Sequence, residues 1–207
     1  MPTGHLFIIF ELDGFERNTF DNNNLKPNGT YTNVWVSGMH KNHLSISAHQ
    51  DSEMLVVQFK TKGAYPFLKL PINELNNKVI SAQEIFGNEI LELRKQILNS
   101  ENSSGKFKIV EKWLLKQFDV RKSASKEITT ILEQVQLKPI SESKEFISTY
   151  PYSQKHLINQ FKKYFGLTPK VFHRVFRFNE MLKKIQNKEL LVWSQIAYEF
   201  GYSDQSH

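Results

Sequence analysis

Hydrophobic positions along this chain follow two different periods, and the change comes near residue 81. Before it, apolar residues come in short runs or alternate with polar ones. Residues 5–12 (HLFIIFEL) form a compact β-favouring run, closed off by the turn-rich segment 21–29 (DNNNLKPNG). Further strands are predicted over 30–37, around Tyr31, Val34 and Val36, and over 54–60. Over 44–49, Leu44, Ile46 and Ala48 alternate with Ser45, Ser47 and His49, the pattern of a half-buried strand. Gly63 and Pro66 then interrupt the backbone. Short strands separated by turn signals predict a small antiparallel β-barrel, half-barrel or sandwich.

From Ser81 onward the period is helical. Ser81 followed by Glu84 has the spacing of a capping box, and Ile85, Ile90, Leu93 and Ile97 mark one helix behind it. Residues 99–105 (NSENSSG) are small and polar, as expected of a linker. Beyond them a helix over 106–118 carries Val110, Trp113, Leu114 and Phe118, and another over 123–135 carries Ile128, Ile131, Leu132 and Val135. These two are expected to form a connecting or dimerisation element. The predicted fold is α+β in two domains: a β-rich domain over 1–104 and an all-helical one over 105–207.

Two segments of the helical half have helix-turn-helix form. In the first, a helix over about 141–149 leads through a short turn to Ser153, an N-cap for the helix 153–165. Leu157, Phe161 and Phe165 recur every fourth residue and predict one narrow buried stripe. Lys155, Ile158, Asn159, Lys162 and Lys163 are left outside, and the segment holds no Asp or Glu. Gly166 suits a C-cap, and Thr168-Pro169 starts the next helix, 169–186. That helix is expected to bury most of Phe172, Val175, Phe176, Phe178, Met181, Leu182 and Ile185. In the second, 192–201 forms a scaffold helix with Ala197 at the crossing and Gly201 at the left-handed turn, and Ser203 or Asp204 caps the recognition helix that begins there.

Charge sharpens this division. Residues 1–104 carry 9 Lys/Arg and 11 Asp/Glu, whereas 105–207 carry 18 and 10, so the whole excess of +6 comes from the helical half. A basic half points to a polyanion, either nucleic acid or an anionic membrane surface. No apolar run approaches the roughly 18 residues of a membrane span. The stretch 6–10 is short, has no basic flank and is closed by Glu11 and Asp13, unlike a secretory signal. The chain contains no cysteine, which removes disulfides, thiol nucleophiles and cysteine-ligated zinc and fits a cytoplasmic location.

The C-terminal half resembles the DNA-binding domain of the AraC/XylS family of bacterial transcription regulators. The resemblance spans roughly 141–207 and rests on YSQKHLINQFKKYFGLTP (152–169), FRF (176–178) and WSQIAYEFGYSDQSH (193–207), the last being the most specific. The N-terminal half resembles the cupin-like sensor region of one branch of that family, through MPTGHLFIIF (1–10) and FKTKGAYPF (59–67). The resemblance implies two helix-turn-helix units in successive major-groove turns of double-stranded promoter DNA. It also implies a small-molecule effector or a homodimer acting through the N-terminal domain. It assigns base contacts to Lys155, Ile158 and Asn159 in the first unit and to Gln205 and Ser206 in the second. Gln154, His156, Lys162 and Lys163 become phosphate contacts. Three departures stand out. Ile147 and Pro151 replace the family's usual Ala and Gly, the second recognition helix is short, and the sensor region starts late. The expectation is a chain shortened at both ends that binds DNA weakly.

Other chemistries find little support. His5, His40, His43 and His49 lie early, but no His-X-His pair with a spaced Glu accompanies them, so surface histidines are expected rather than a metal site. No phosphate-binding glycine loop, Gly-X-Ser-X-Gly or His-Glu-X-X-His is present, and neither a cofactor nor an enzymatic activity is expected. Trp35, Tyr65 and Phe67 are candidates for an effector pocket, with plain core as the commoner alternative. Two other readings stand beside the DNA-binding regulator. One is a shortened interaction partner that dimerises with a full-length relative without gripping DNA. The other is a cupin-type metalloenzyme.

Overall fold

Strand register explains the first half of the chain. The computed structural model describes residues 4–138, 143–186 and 191–202. Strand β1 (Leu6–Glu11) is central and pairs antiparallel with β4 (Val34–Ser37) on one side and β6 (Met54–Phe59) on the other; β7 (Val79–Ser81) completes the order β6-β1-β4-β7. Because successive side chains alternate, this register sorts the sheet into two faces. Leu6, Ile8, Phe10, Val34, Val36, Leu55 and Phe59 share the closed face, and all are buried. Phe7, Ile9, Glu11, Trp35, Ser37, Met54 and Val56 share the other. A second sheet, of order β3-β2-β5, contains β2 (Arg17–Phe20), β3 (Pro27–Tyr31) and β5 (Ser45–Ile46).

The predicted barrel-like β-domain is therefore present as two antiparallel sheets, with differences in detail. The strand expected over 30–37 is two strands in different sheets, divided at Asn33, whose φ of 59° places it in the left-handed region. The expected half-buried strand over 44–49 shrinks to Ser45–Ile46, with Ile46 and Ala48 exposed. Strand β2 is short and largely polar and β7 has only three residues, so no apolar alternation announces them.

The helix expected after Ser81 is also two: α1 (Gln83–Phe86) and α2 (Glu89–Leu98). Gly87 between them has φ 68° and ψ −161°, a conformation essentially reserved for glycine. The capping pair does form, with the Ser81 amide donating to Glu84 Oε1 at 3.2 Å and the Gln83 amide to Ser81 Oγ at 3.3 Å. Residues 99–105 are not an interdomain linker. Asn102 caps α3 (Ser103–Gln117) by accepting from the Gly105 amide at 2.9 Å, and α3 folds back on α2. The boundary placed at 104/105 thus falls inside a helix. Contacts divide the chain into one unit of Met1–Ser123 with Lys162–Gly166 and another of Ala124–Phe161 with Leu167–His207. Phe118, expected in the core, is half exposed.

The second unit is helical: α4 (Lys126–Leu137), α5 (Ser143–Ser148), α6 (Gln154–Phe165), α7 (Pro169–Ile185) and α8 (Trp193–Glu199). Ile128, Ile131, Leu132 and Val135 of α4 are all buried, and α4 packs on α5 and α7. Of the seven apolar residues assigned to the buried stripe of α7, only Phe172 and Val175 are buried; the rest are partly open. The fold class is α+β, as predicted.

Candidate nucleic-acid interface and ligand cavity

Helix α6 is positioned by its own sequence. Ser153 caps it, its Oγ accepting from the His156 amide at 3.2 Å. Leu157, Phe161 and Phe165 are each 0% exposed. Gly166, at φ 86°, ends the helix, and Thr168 Oγ1 accepts from the Val171 amide at 3.3 Å to start α7. Gln154, Lys155, His156, Asn159 and Lys162 lie on the exposed face, with Ile158 and Lys163 half-buried beside them. No Asp or Glu occurs in α6, so this face is uniformly basic or neutral.

Two of these residues have intramolecular partners. The Lys163 ammonium lies over the Tyr164 ring, 5.2 Å from its centroid. His156 uses both ring nitrogens: Tyr150 Oη is 2.8 Å from Nδ1, and the Gln160 side-chain amide is 3.3 Å from Nε2. An amide nitrogen only donates, so Nε2 accepts and the Nδ1 proton goes to the tyrosine oxygen. The predicted phosphate contact is thus a residue that braces the turn between α5 and α6. Tyr150 and Tyr152 pack around it.

In the second unit of the motif, Ala197 is buried and Gly201 adopts φ 66°, as its position demands. The Tyr202 amide donates to the Ala197 carbonyl at 2.9 Å and the Gly201 amide to the Tyr198 carbonyl at 3.1 Å, which closes the helix end. Arg177 of α7 holds that end, donating to the Gly201 carbonyl at 3.2 Å and lying 4.4 Å over the Tyr202 ring. Lys184 pairs with Glu199. Gln205 and Ser206, together with the capping candidates Ser203 and Asp204, lie outside the described residues.

The effector-pocket candidates separate. Trp35 lines a cavity of about 310 Å³ on the open face of the β6-β1-β4-β7 sheet, together with Phe7, Ile9, Ser37, Met54 and Val56. Leu44 and Ile46 close it from the other side, and His5, Gly38, His40 and Asn42 surround one end. Gly38 has no alternative there, since an added Cβ would sit 1.8 Å from the Leu75 carbonyl oxygen. Tyr65 and Phe67 belong elsewhere, in a 3-10 turn at Tyr65–Phe67. Phe67 packs on Phe59, a residue of the closed face, with centroids 5.5 Å apart. Sequence reasoning missed most of the cavity lining. The alternate spacing of Phe7 and Ile9 was the available signal.

Beside the cavity stands a buried charge cluster. Trp35 Nε1 donates to Glu11 Oε1 at 2.8 Å, and Arg17 Nη2 lies 2.9 Å from Glu11 Oε2 and 2.5 Å from Asp13 Oδ2. Burial works to raise the Asp13 carboxyl, but bonds from the Phe15 amide, Arg17 and the Glu53 amide outweigh it and hold it below the usual range. The four early histidines do not converge. His5 donates from Nδ1 to the Phe59 carbonyl at 2.9 Å, His40 lies 3.2 Å from Ser37 Oγ, and His49 stacks on Phe15. Among the described residues no group of three or more His, Asp or Glu is arranged to hold a metal ion. Among them, too, no helix is long and apolar enough to cross a membrane.

Residues 1–81 match a family described as a domain of unknown function, DUF6597. Among solved structures, the chain is similar to an apo variant of ToxT from Vibrio cholerae strain SCE256, at 14% identity and a TM-score of 0.44, covering 97% of this chain and 81% of that one. It is similar also to wild-type ToxT from the same strain bound to an unsaturated fatty acid (14%, 0.40, 97% and 79%) and to ToxT from Vibrio cholerae O395 (13%, 0.41, 97% and 81%). Comparison with curated proteins gives no match.

Proposed function

We propose that this chain is a transcription regulator of the AraC type, which grips double-stranded DNA through α6 and the segment after α8 and takes a small-molecule effector in its N-terminal unit. One observation carries the reading. Leu157, Phe161 and Phe165 are fully buried while Lys155, Asn159 and Lys162 face outward on a helix without a carboxylate. Lysine suits phosphates and guanine edges, and asparagine suits adenine, so this face has the chemistry of a groove reader. Lys155, Ile158 and Asn159 are the proposed base contacts, joined by Gln205 and Ser206. Gln154, Lys162 and Lys163 serve the phosphates. The regulator works in the cytoplasm, where promoter DNA is found, and has no enzymatic step.

The test is binding of the full chain to the duplex upstream of its own gene, followed by fluorescence anisotropy across a salt series. Counterion release predicts a logarithmic slope of about −0.9 for each phosphate neutralised. A flat salt response, or no binding at low salt, would remove the reading.

A second reading has one observation in its favour. Phe107 and Leu115, two turns apart on α3, are 62% and 72% exposed. Such a pair suits an interaction protein that dimerises through α3. If the chain self-associates or captures a full-length relative while ignoring duplex DNA, this second reading prevails.

A further inference from the structure

We infer that the cavity on the open face of the β6-β1-β4-β7 sheet binds an uncharged, mostly apolar small molecule that carries one hydrogen-bonding group, and that it discriminates against carboxylates. The inference rests on the proposed regulator's need for an effector site and names what that site accepts.

The lining decides the class. A volume of about 310 Å³ is at the small end of the range for ligand sites, roughly 300–1,000 Å³. Its walls are Phe7, Ile9, Trp35, Leu44, Ile46, Met54 and Val56, and no Asp, Glu, Lys or Arg is among the lining residues. Ile46, Met54 and Val56 are 42%, 40% and 44% exposed, so a concave apolar surface is left open to solvent. An apolar occupant would cover it.

Two charges behind the cavity wall, Glu11 and Arg17, are paired with each other. Glu11 shares the open face, yet it is fully buried and taken up by Trp35 Nε1 and Arg17. Arg17 in turn binds Asp13. The guanidinium that could have met an acidic ligand is therefore neutralised behind the cavity wall. Because the indole N–H points to Glu11, Trp35 offers the cavity no polar atom. Polar atoms gather at the other end: Ser37 Oγ, the His40 ring 3.2 Å from it, Asn42, and His5, whose Nδ1 is taken up by the Phe59 carbonyl. Burial holds His40 below the ordinary imidazole range, which favours its neutral form, and no Lys or Arg lines this end. A hydroxyl or carbonyl finds partners there. A carboxylate would lose its water without gaining a Lys or Arg partner from the lining.

The test uses 1-naphthol and its anionic counterpart 1-naphthoate as probes, titrated calorimetrically into the full chain at about pH 7.5. Naphthol is expected to bind one to one and at least about tenfold more tightly than naphthoate. Val56→Trp, a substitution at an exposed strand position, should fill the mouth and abolish binding. Ser37→Ala should weaken naphthol about fivefold, the worth of one hydrogen bond, without changing the affinity for naphthalene. Equal or tighter binding of naphthoate overturns the inference, as does unchanged affinity in Val56→Trp. Failure of both probes, with light scattering showing two copies joined and Val56→Trp separating them, overturns it in favour of a second chain as the occupant. None of these measurements contains DNA, so the DNA-binding reading stands or falls separately on the salt series.

Discussion

Tyr150 and His156 form a stacked, hydrogen-bonded pair across the turn between α5 and α6, with ring planes 13° apart and Oη 2.8 Å from Nδ1. In a helix-turn-helix this contact sets the angle at which the outward helix leaves its scaffold. Tyr150→Phe keeps the ring and removes the bond, and should cost about 1 kcal/mol of stability in urea unfolding. His156→Ala should cost more, because the stack is lost too. It should lower DNA affinity without altering the salt slope. A slope reduced by about 1 would instead return His156 to the phosphate contacts.

On the proposed reading, the exposed face of α6 divides into base readers and phosphate anchors. Lys155→Ala and Asn159→Ala should each cost about 1–3 kcal/mol on the best duplex and relax preference at one base position. Lys162→Ala should weaken all duplexes alike and reduce the salt slope by about 1. Anisotropy titrations on a set of single-base variants distinguish the two behaviours.

The Glu11–Arg17 pair is sealed in the β-domain, at 0% and 1% exposure. Arg17→Met strands a buried carboxylate and should destabilise the domain by about 3–5 kcal/mol in a denaturant titration. Adding Glu11→Gln to that variant should recover part of the loss. If the double variant is no more stable than the single one, the pair is not coupled as its geometry implies.

Acid should weaken the β-domain through His40. Burial depresses the imidazole pKa in the folded state, so the unfolded chain takes up the proton first as pH falls. Stability from this source is complete above the ordinary histidine value, about 6.5, and erodes below it. The midpoint of urea unfolding should fall between about pH 7 and pH 5.5, and His40→Gln should flatten that stretch of the curve.

Local signals carried the helical half. Ser153, Leu157, Phe161, Phe165, Gly166 and Gly201 all take the places their chemistry predicts, because a helix and its caps are settled within a few residues. The β-domain was less legible. Trp35 was identifiable as a pocket candidate, but its neighbours Ile9 and Val56 arrive through strand pairing with residues far away in sequence. Tyr65 and Phe67 are equivalent to it by type but sit in a 3-10 turn, where Phe67 packs on Phe59 of the closed face. Gly87 splits a run of otherwise continuous helical periodicity, since a period records which face is apolar and not where the backbone turns. The polar stretch 99–105 has the composition of a linker but serves as a hairpin bend, held by the Asn102 side-chain cap and by Ser100 Oγ donating to the Asn102 carbonyl.

The clamp of Arg177 on Gly201 and Tyr202 gives α7 the character of a rigid spacer. Its 17 residues span about 26 Å, with Thr168 capping the start, Arg177 gripping the end of α8 from mid-helix and Lys184 pairing with Glu199 from the last turn. If the proposed reading holds, a helix tied to α8 at two points leaves little freedom to adjust the phase between the two DNA-contacting segments. On that reading, inserting half a turn of duplex between two paired elements of an operator would swing one of them to the far side of the double helix, beyond the reach of a fixed spacer.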